Sequence, residues 1–313
     1  MQIVKFYGQG QDNPQTLIVQ WNIGNVCNFT CEYCPPLLHD GSIGWIDNSI
    51  IKDNLLKIKN HYKDKKIHLE LLGGEVTVKK DFPDLLEFCK THNFETIFFT
   101  NGSRTLSFWE RILPYINRVV ITFHPQHTSK EHLISLLTLL KNNNINFMVN
   151  VAIVEKYFDE LILFCNELQQ TFSIPIEPLL LYDKVGIRGY NGFYYNYSEN
   201  QIKKVITITE DKSYYIAETV TGEIVHITTA ELRSKKLNNF YNFTCGENFE
   251  IITIDFFGRA STGLCSQKPK INLYNDDIEK LFIPTLCKLT ECNNPSDLRL
   301  FKRKIENDCD NSY

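Results

Sequence analysis

Cys27-Asn28-Phe29-Thr30-Cys31-Glu32-Tyr33-Cys34 places three thiols in eight residues, directly after the apolar run Leu17-Ile18-Val19-Gln20-Trp21-Asn22-Ile23. A strand over 17–23 would deliver the chain straight into this loop. Thiols separated by three and then two residues can wrap one corner of an iron-sulfur cube, because cluster irons are held by cysteine sulfur on short, closely spaced runs. Three ligands leave one iron open. A structural zinc site needs four protein ligands closed around the ion. No fourth Cys or His sits beside the trio, and the nearest candidate is His39. Zinc and a chance cluster of thiols remain the alternatives on this stretch alone, with metal favoured over a disulfide in a reducing compartment.

Composition bounds the rest. The 313 residues are 43% apolar, enough for one large core or two smaller ones, and α/β barrels commonly use 200 or more residues as a single domain. With 33 basic and 37 acidic residues the net charge is -4, which gives no electrostatic footprint for a nucleic-acid partner. Ten cysteines without a cleavable apolar leader point to a reducing, cytoplasmic setting. Apolar runs fall far short of the roughly 18 residues a membrane span requires, so no membrane partner is expected.

Residues 1–16 are polar, carry Gly8, Gly10 and Pro14, and read as a lead-in without room for a domain of its own. After the cysteines, Pro35, Pro36 and Gly41 enforce an ordered excursion that ends at Trp45. Asp47 then caps a helix with Ile50, Ile51, Leu55 and Ile58 at helical spacing. Strands and helices alternate from there, the pattern of right-handed crossovers on a parallel sheet. Strands are expected at 67–72, 95–100, 118–123, 145–153 and 174–181. The helices between them include one started by Asp81 and one whose capping box is Thr128 with Glu131. With the first strand this makes six strand-helix units and an α/β fold, a partial (β/α)6 TIM-like barrel over 17–182. Barrel chemistry sits at the carboxyl ends of the strands.

Those ends carry the remaining candidates. Gly73-Gly74-Glu75 follows the second strand and offers close backbone approach plus a carboxylate, though by itself it is an ordinary turn. Thr100-Asn101-Gly102 after the third strand is likewise a common turn. Thr122-Phe123-His124 ends the fourth. His124 is a weak catalytic candidate that exchanges protons near neutral pH, against the plainer reading of a satisfied structural histidine. Asn150 is a polar residue in an otherwise apolar strand, equally readable as a satisfied core amide. Cys89 and Cys165 fall on apolar helix faces and belong to the core.

Beyond 182 the composition changes. Gly186, Gly189 and Gly192 alternate with Tyr190, Phe193, Tyr194, Tyr195 and Tyr197, a segment that either walls a substrate pocket or packs a second core. Two hairpins follow, 214–220 with 223–228 around Gly222, and 250–256 with 259 onward around Gly258. Around them lie Cys245, Cys265, Cys287 and Cys292. Four thiols flanking short hairpins fit a closed tetrathiolate site for a second cluster or for zinc. A small α+β domain over 183–313 is expected. Cys309, in a polar tail, is idle or a hydrogen-atom donor.

The Cys27, Cys31, Cys34 pattern resembles the signature of the radical S-adenosylmethionine (radical SAM) superfamily, in which such a loop after the first barrel strand holds a 4Fe-4S cluster. The resemblance implies that the open iron is chelated by S-adenosylmethionine. A reduced cluster then splits it into methionine and a 5'-deoxyadenosyl radical that takes a substrate hydrogen. It also implies cofactor contacts from Gly73, Gly74 and Glu75 at the methionyl amino group, and from Thr100, Asn101, Thr122 and Asn150. Thr122-Phe123-His124 departs from the Ser-x-Asp that family members often carry there. Cys245, Gly258, Cys265 and the pair Cys287 and Cys292 resemble the twitch domain, the shortened relative of the SPASM domain, which implies an auxiliary 4Fe-4S cluster. The expectation is an enzyme that oxidises a small molecule or a peptide residue, fed by an external one-electron reductant such as flavodoxin or ferredoxin. Radical cross-linking or epimerisation of a peptide stands second. A non-catalytic zinc or iron-sulfur binding protein is the alternative of another class.

Overall fold

The structure, a computed structural model, describes residues 2–8, 15–182, 193–210, 214–228, 231–232, 235–246, 251–263, 265, 270–282, 285–292 and 295–305. The chain divides into two compact units. One comprises Gln20–Leu56 and His68–Asp211, and the other Met1–Val19, Lys57–Ile67 and Lys212–Tyr313. The first contains the three-thiol loop and the second the four later cysteines.

In chain order the elements are β1 (Ile3–Gly8), β2 (Thr16–Asn22), β3 (Gly24–Val26), β4 (Asp40–Trp45), α1 (Asn48–His61), β5 (Lys66–Leu72), α2 (Phe82–Thr91), β6 (Glu95–Thr100), α3 (Leu106–Ile112), β7 (Arg118–Phe123), α4 (Lys130–Asn142), β8 (Asn146–Ile153), α5 (Phe158–Phe172), β9 (Ile176–Leu180) and α6 (Glu199–Glu210). There follow β10 (Tyr214–Thr219), β11 (Ile224–Thr228), β12 (Phe243–Cys245), β13 (Ile251–Ile254), β14 (Arg259–Ser261), β15 (Lys270–Asn272), β16 (Thr285–Leu286), α7 (Pro295–Arg299) and β17 (Lys302–Lys304).

The cysteine-loop unit is a mixed α/β layer structure. Its strands lie in the order β2, β5, β6, β7, β8, β9, and the pairings from β5 to β9 are all parallel. Period-two burial explains why these segments are strands. In β5, Ile67, Leu69 and Leu71 are buried while His68, Glu70 and Leu72 are half-buried on the opposite face. The buried face packs on helices whose apolar residues recur at helical spacing: Leu133, Leu136, Leu137 and Leu140 in α4, and Leu161, Phe164, Cys165 and Leu168 in α5. Cys89 and Cys165 are both in this core. Ladder register aligns Thr122 with Asn150, and Asn150 with Glu177, so these three share one sheet face, on which Thr122 and Asn150 are half-buried and Glu177 is exposed.

Three local readings differ from the sequence expectation. The excursion after the cysteines is a single 3-10 turn, Pro36–Leu38, followed by β4 paired antiparallel with β3; this hairpin frames the thiol loop. The cap of α4 is Ser129, whose side chain accepts from the His132 N–H at 3.2 Å. That satisfies the helix end one residue later than Thr128 would. The N-terminal stretch forms β1 with Phe6 fully buried, because Ile3 and Phe6 supply the apolar anchors that a reading of its glycines and proline overlooks.

In the other unit the described strands form a sheet in the order β11, β10, β1, β17, β12, β16, together with the antiparallel meander β13, β14, β15. One face of the sheet packs a core of Ile3, Phe6, Tyr215, Ala217, Phe240 and Phe243. Among the described residues no helix is long and apolar enough to cross a membrane.

Candidate active site

The thiol loop is held from two directions. Within the loop, the Phe29 N–H donates to Cys27 Sγ at 3.3 Å and the Cys34 N–H to the Cys31 carbonyl at 3.0 Å. From outside, the Gly73-Gly74-Glu75 turn is bonded onto β3: the Gly74 N–H donates to the Gly24 carbonyl at 3.1 Å and the Glu75 N–H to the Val26 carbonyl at 2.8 Å. Gly74 must be glycine for this approach, since a Cβ there would stand 2.3 Å from the Val26 oxygen.

Glu75 is fully buried and its carboxylate is spent inside the chain. Oε1 accepts from the Thr77 N–H at 3.1 Å, from the Thr77 hydroxyl and from the Thr100 hydroxyl at 2.7 Å, while Oε2 accepts from the Asn101 N–H. Burial pushes this carboxyl above the ordinary range, and the bonds from Asn101, Thr77 and Thr100 pull against it. Asn101 carries the connection onward. Its Nδ2 donates to Asn28 Oδ1 at 3.0 Å and points at Cys27 Sγ from 3.9 Å. Asn28 Nδ2 in turn donates to Ser103 Oγ at 2.9 Å. The ends of β5 and β6 are thus tied to the first thiol through one buried carboxylate.

His124, at the end of β7, reaches the second thiol. Its Nδ1 lies 2.7 Å from Tyr33 Oη and 3.7 Å from Cys31 Sγ. Burial, with His127 nearby, pushes its pKa down to about 4, so the imidazole is neutral near pH 7. Burial raises the Cys27 and Cys31 thiols, against the Phe29 N–H at Cys27 and the Tyr33 bond at Cys31. The metal-free thiols are therefore protonated, and binding a metal here releases protons.

On the sheet face opposite the core, Asn150 Oδ1 is buried without a hydrogen-bond partner among the described residues, beside Thr122. Such an orphan acceptor is unusual enough to call for a ligand or water. Glu32 and Tyr33, which sequence reasoning did not single out, cluster with Tyr194 and Tyr195 of the aromatic segment. Tyr195 Oη donates to Glu32 Oε1 at 2.8 Å, and the Tyr33 ring meets those of Tyr194 and Tyr195 edge-on at 6.2 and 6.5 Å. The available signal was position: two of the four lie between the cysteines and two in the aromatic segment. Gly186, Gly189, Tyr190 and Gly192 of that segment lie outside the described residues.

In the other unit, Cys245 ends β12 and Cys287 and Cys292 pack against the Phe6, Phe240 and Phe243 core. The Cys287 N–H donates to the Phe243 carbonyl at 2.8 Å and the Cys292 N–H to the Asn238 carbonyl at 2.9 Å. Burial raises both thiols, Cys292 to about 12; Cys245 and Cys265 add to the rise at Cys287, as Cys245 and Cys287 do at Cys292. Each of these thiols therefore feels its neighbours. Cys309 lies outside the described residues. Among the described residues no three Cys, His, Asp or Glu side chains converge on the position of one shared ion. Ligands of a cube each take a separate iron and need no such convergence.

Residues 21–162 match the family model of the radical SAM superfamily. Among curated proteins, the chain is 24% identical over 102 residues to mycofactocin maturase MftC of Mycobacterium tuberculosis, a match covering 33% of this chain and 25% of the maturase. It is 24% identical over 182 residues to the S-adenosylmethionine-dependent nucleotide dehydratase of Fibrobacter sp. (strain UWH6), covering 48% of this chain and 52% of that protein. The chain thus spans about half, or less, of the length of the curated relatives it matches. Among solved structures it resembles Streptococcus suis SuiB bound to its precursor peptide SuiA, with a TM-score of 0.58, 15% identity, and coverage of 85% of this chain and 64% of SuiB. That likeness establishes the fold.

Proposed function

We propose that this protein is a radical SAM enzyme in which Cys27, Cys31 and Cys34 hold a 4Fe-4S cluster whose open iron takes S-adenosylmethionine. The single observation that carries this reading is the thiol loop inside the stretch that matches the radical SAM superfamily, anchored through Glu75 and Asn101 to the ends of two parallel strands. The run of strands β2 and β5 to β9 is then a partial (β/α)6 barrel, with the loop at its carboxyl end.

A cluster held by Cys27, Cys31 and Cys34 would supply the one-electron reduction of S-adenosylmethionine. The chain's own residues prepare for that event. The backbone of Gly73 and Gly74 packs directly on β3, which a side chain at either position would prevent, and so fixes the turn beside the loop. Asn150 Oδ1 and Thr122 offer polar contacts from the sheet face, and an orphaned buried acceptor fits an ammonium or hydroxyl donor of the cofactor. Glu75 acts by orienting Thr100 and Asn101 rather than by touching the ligand, since its acceptor positions are already occupied. His124, neutral and bonded to Tyr33, holds the middle of the loop and keeps water from Cys31.

Cys245, Cys265, Cys287 and Cys292 form a second, auxiliary 4Fe-4S site in a twitch/SPASM-like unit, and this site accepts an electron from a substrate radical. The reaction is oxidation of a peptide residue or small molecule, with radical cross-linking or epimerisation second. A peptide is favoured because the structurally similar SuiB is bound to a precursor peptide. A flavodoxin- or ferredoxin-like donor in a reducing cytoplasm supplies the first electron. The test is iron and sulfide analysis of anaerobically reconstituted protein. Two cubes give about eight irons per chain and a brown absorption that bleaches on reduction. A colourless protein that resists reconstitution would end this reading.

A further inference from the structure

Of the three thiols in the loop, Cys31 is the buried one, and its sulfur faces two polar side chains. His124 Nδ1 lies 3.7 Å from Cys31 Sγ and 2.7 Å from Tyr33 Oη. The Tyr33 hydroxyl acts on the same sulfur: burial raises the Cys31 thiol, and the bond from Tyr33 pulls it back. Packing holds both groups in place. The Tyr33 and His124 rings stack with centroids 6.0 Å apart and planes 11° apart, and Phe29 meets the imidazole edge-on at 6.0 Å. His124 arrives from just past β7, 93 residues from Cys31 in sequence, so the loop's own conformation does not require this contact.

The neutral imidazole has two forms, and they differ at this sulfur. Cysteine holds iron as the thiolate, which accepts hydrogen bonds and donates none. With the imidazole proton on Nε2, Nδ1 is an acceptor, and it competes with the thiolate for the single Tyr33 O–H. One buried acceptor then goes without a donor, which is costly. With the proton on Nδ1, the triad has two donors, Nδ1–H and the Tyr33 O–H. The N–H reaches the sulfur directly, or it donates to Tyr33 Oη while the O–H turns to the sulfur. Either route gives the thiolate a donor, and a chained pair of bonds strengthens both. A metal-free Cys31 carries its own S–H, which can serve Nδ1, so only the bound thiolate selects the second form.

We infer that His124 and Tyr33 together deliver a hydrogen bond to the Cys31 thiolate, as positioning residues that raise the reduction potential of the cluster in the loop. This rests on the three-thiolate cluster proposed above. Hydrogen bonds to ligand sulfurs stabilise the reduced, more negative state of an iron-sulfur centre. That suits a centre which must take up an electron before it can pass one to the cofactor. The plainer role for the pair is packing against Phe29, and packing would alter stability without altering a potential.

The experiment is an EPR-monitored redox titration of the full chain, anaerobically reconstituted and free of S-adenosylmethionine. The loop's signal is the one missing from protein with Cys27, Cys31 and Cys34 replaced by Ala. A parent protein with no such signal sinks the cluster reading itself, and the inference with it. Where the signal is present, the double variant Tyr33→Phe, His124→Phe removes both donors and should give a midpoint potential more negative than the parent. His124→Asn, whose amide can offer a donor near the place of Nδ1, should lie nearer the parent. Should the double variant fail to fold or to hold iron, the single variants Tyr33→Phe and His124→Phe replace it, and at least one should shift in the same direction. A double variant with the parent's midpoint, or two single variants that both keep it, would overturn the inference while leaving the cluster in place.

Discussion

Glu75→Gln tests the buried network most sharply, because it changes one atom and leaves the shape intact. The carboxylate accepts from four donors on two oxygens. A glutamine has one acceptor oxygen. Turned to keep the three donors at Oε1, its NH2 faces the Asn101 N–H; turned the other way, it faces Thr77 and Thr100. Either way at least one buried donor is orphaned, at about 1–3 kcal/mol. The surviving bonds also lose their charge assistance. Relief of a buried charge offsets part of this loss, leaving an expected destabilisation of about 1–2 kcal/mol. Denaturant unfolding of the metal-free protein at pH 7 reads the global effect. Hydrogen exchange reads the local one, with the Asn101 amide losing protection by about tenfold or more. Because Asn101 contacts Asn28 and Cys27, cluster assembly should slow in the same variant. Unchanged stability and unchanged Asn101 protection would refute the reasoning. If S-adenosylmethionine binding nonetheless weakened, the carboxylate would belong to the cofactor instead.

Two further perturbations follow from the same geometry. Gly74→Ala sets a methyl against the Val26 carbonyl and should force β3 away from the turn, costing stability and cluster yield together; wild-type iron content would contradict the packing claim. His124 has a folded pKa of about 4 against an ordinary 6.5. The folded state therefore binds fewer protons between these values, and stability present above the higher one is lost as pH falls toward the lower, by up to about 3 kcal/mol. Metal-free protein unfolded in denaturant at pH 7 and pH 5 should show this loss, and His124→Gln should flatten it; equal slopes in the two proteins would remove His124 as its source.

Much of the fold was legible because the parallel strands and their helices carry strong, separable periods. Leu69 and Leu71 alternate with Glu70 and Leu72, and Leu133, Leu136, Leu137 and Leu140 recur as a helix face. Strands of three or fewer residues carry no period to detect. β3, β12, β16 and β17 exist through partners distant in the chain, as β17 does through Phe6 and Cys245. The thiol loop was readable from spacing alone, since three thiols in eight residues are a chemical pattern independent of fold. The inward roles of its neighbours were not. Whether Glu75 faces a ligand or Thr100 depends on the meeting of two strand ends, and whether Lys302 is solvated or buried depends on β1. Neither is a local property of sequence.

The most direct measurement is the yield of 5'-deoxyadenosine from S-adenosylmethionine under dithionite, comparing anaerobically reconstituted protein with the Cys27, Cys31, Cys34→Ala variant. The expected result is formation by the former and none above background by the latter, with the variant still folded and still holding the second centre. Equal yields from the two proteins would show that the three-thiol loop is not where the cofactor is cleaved.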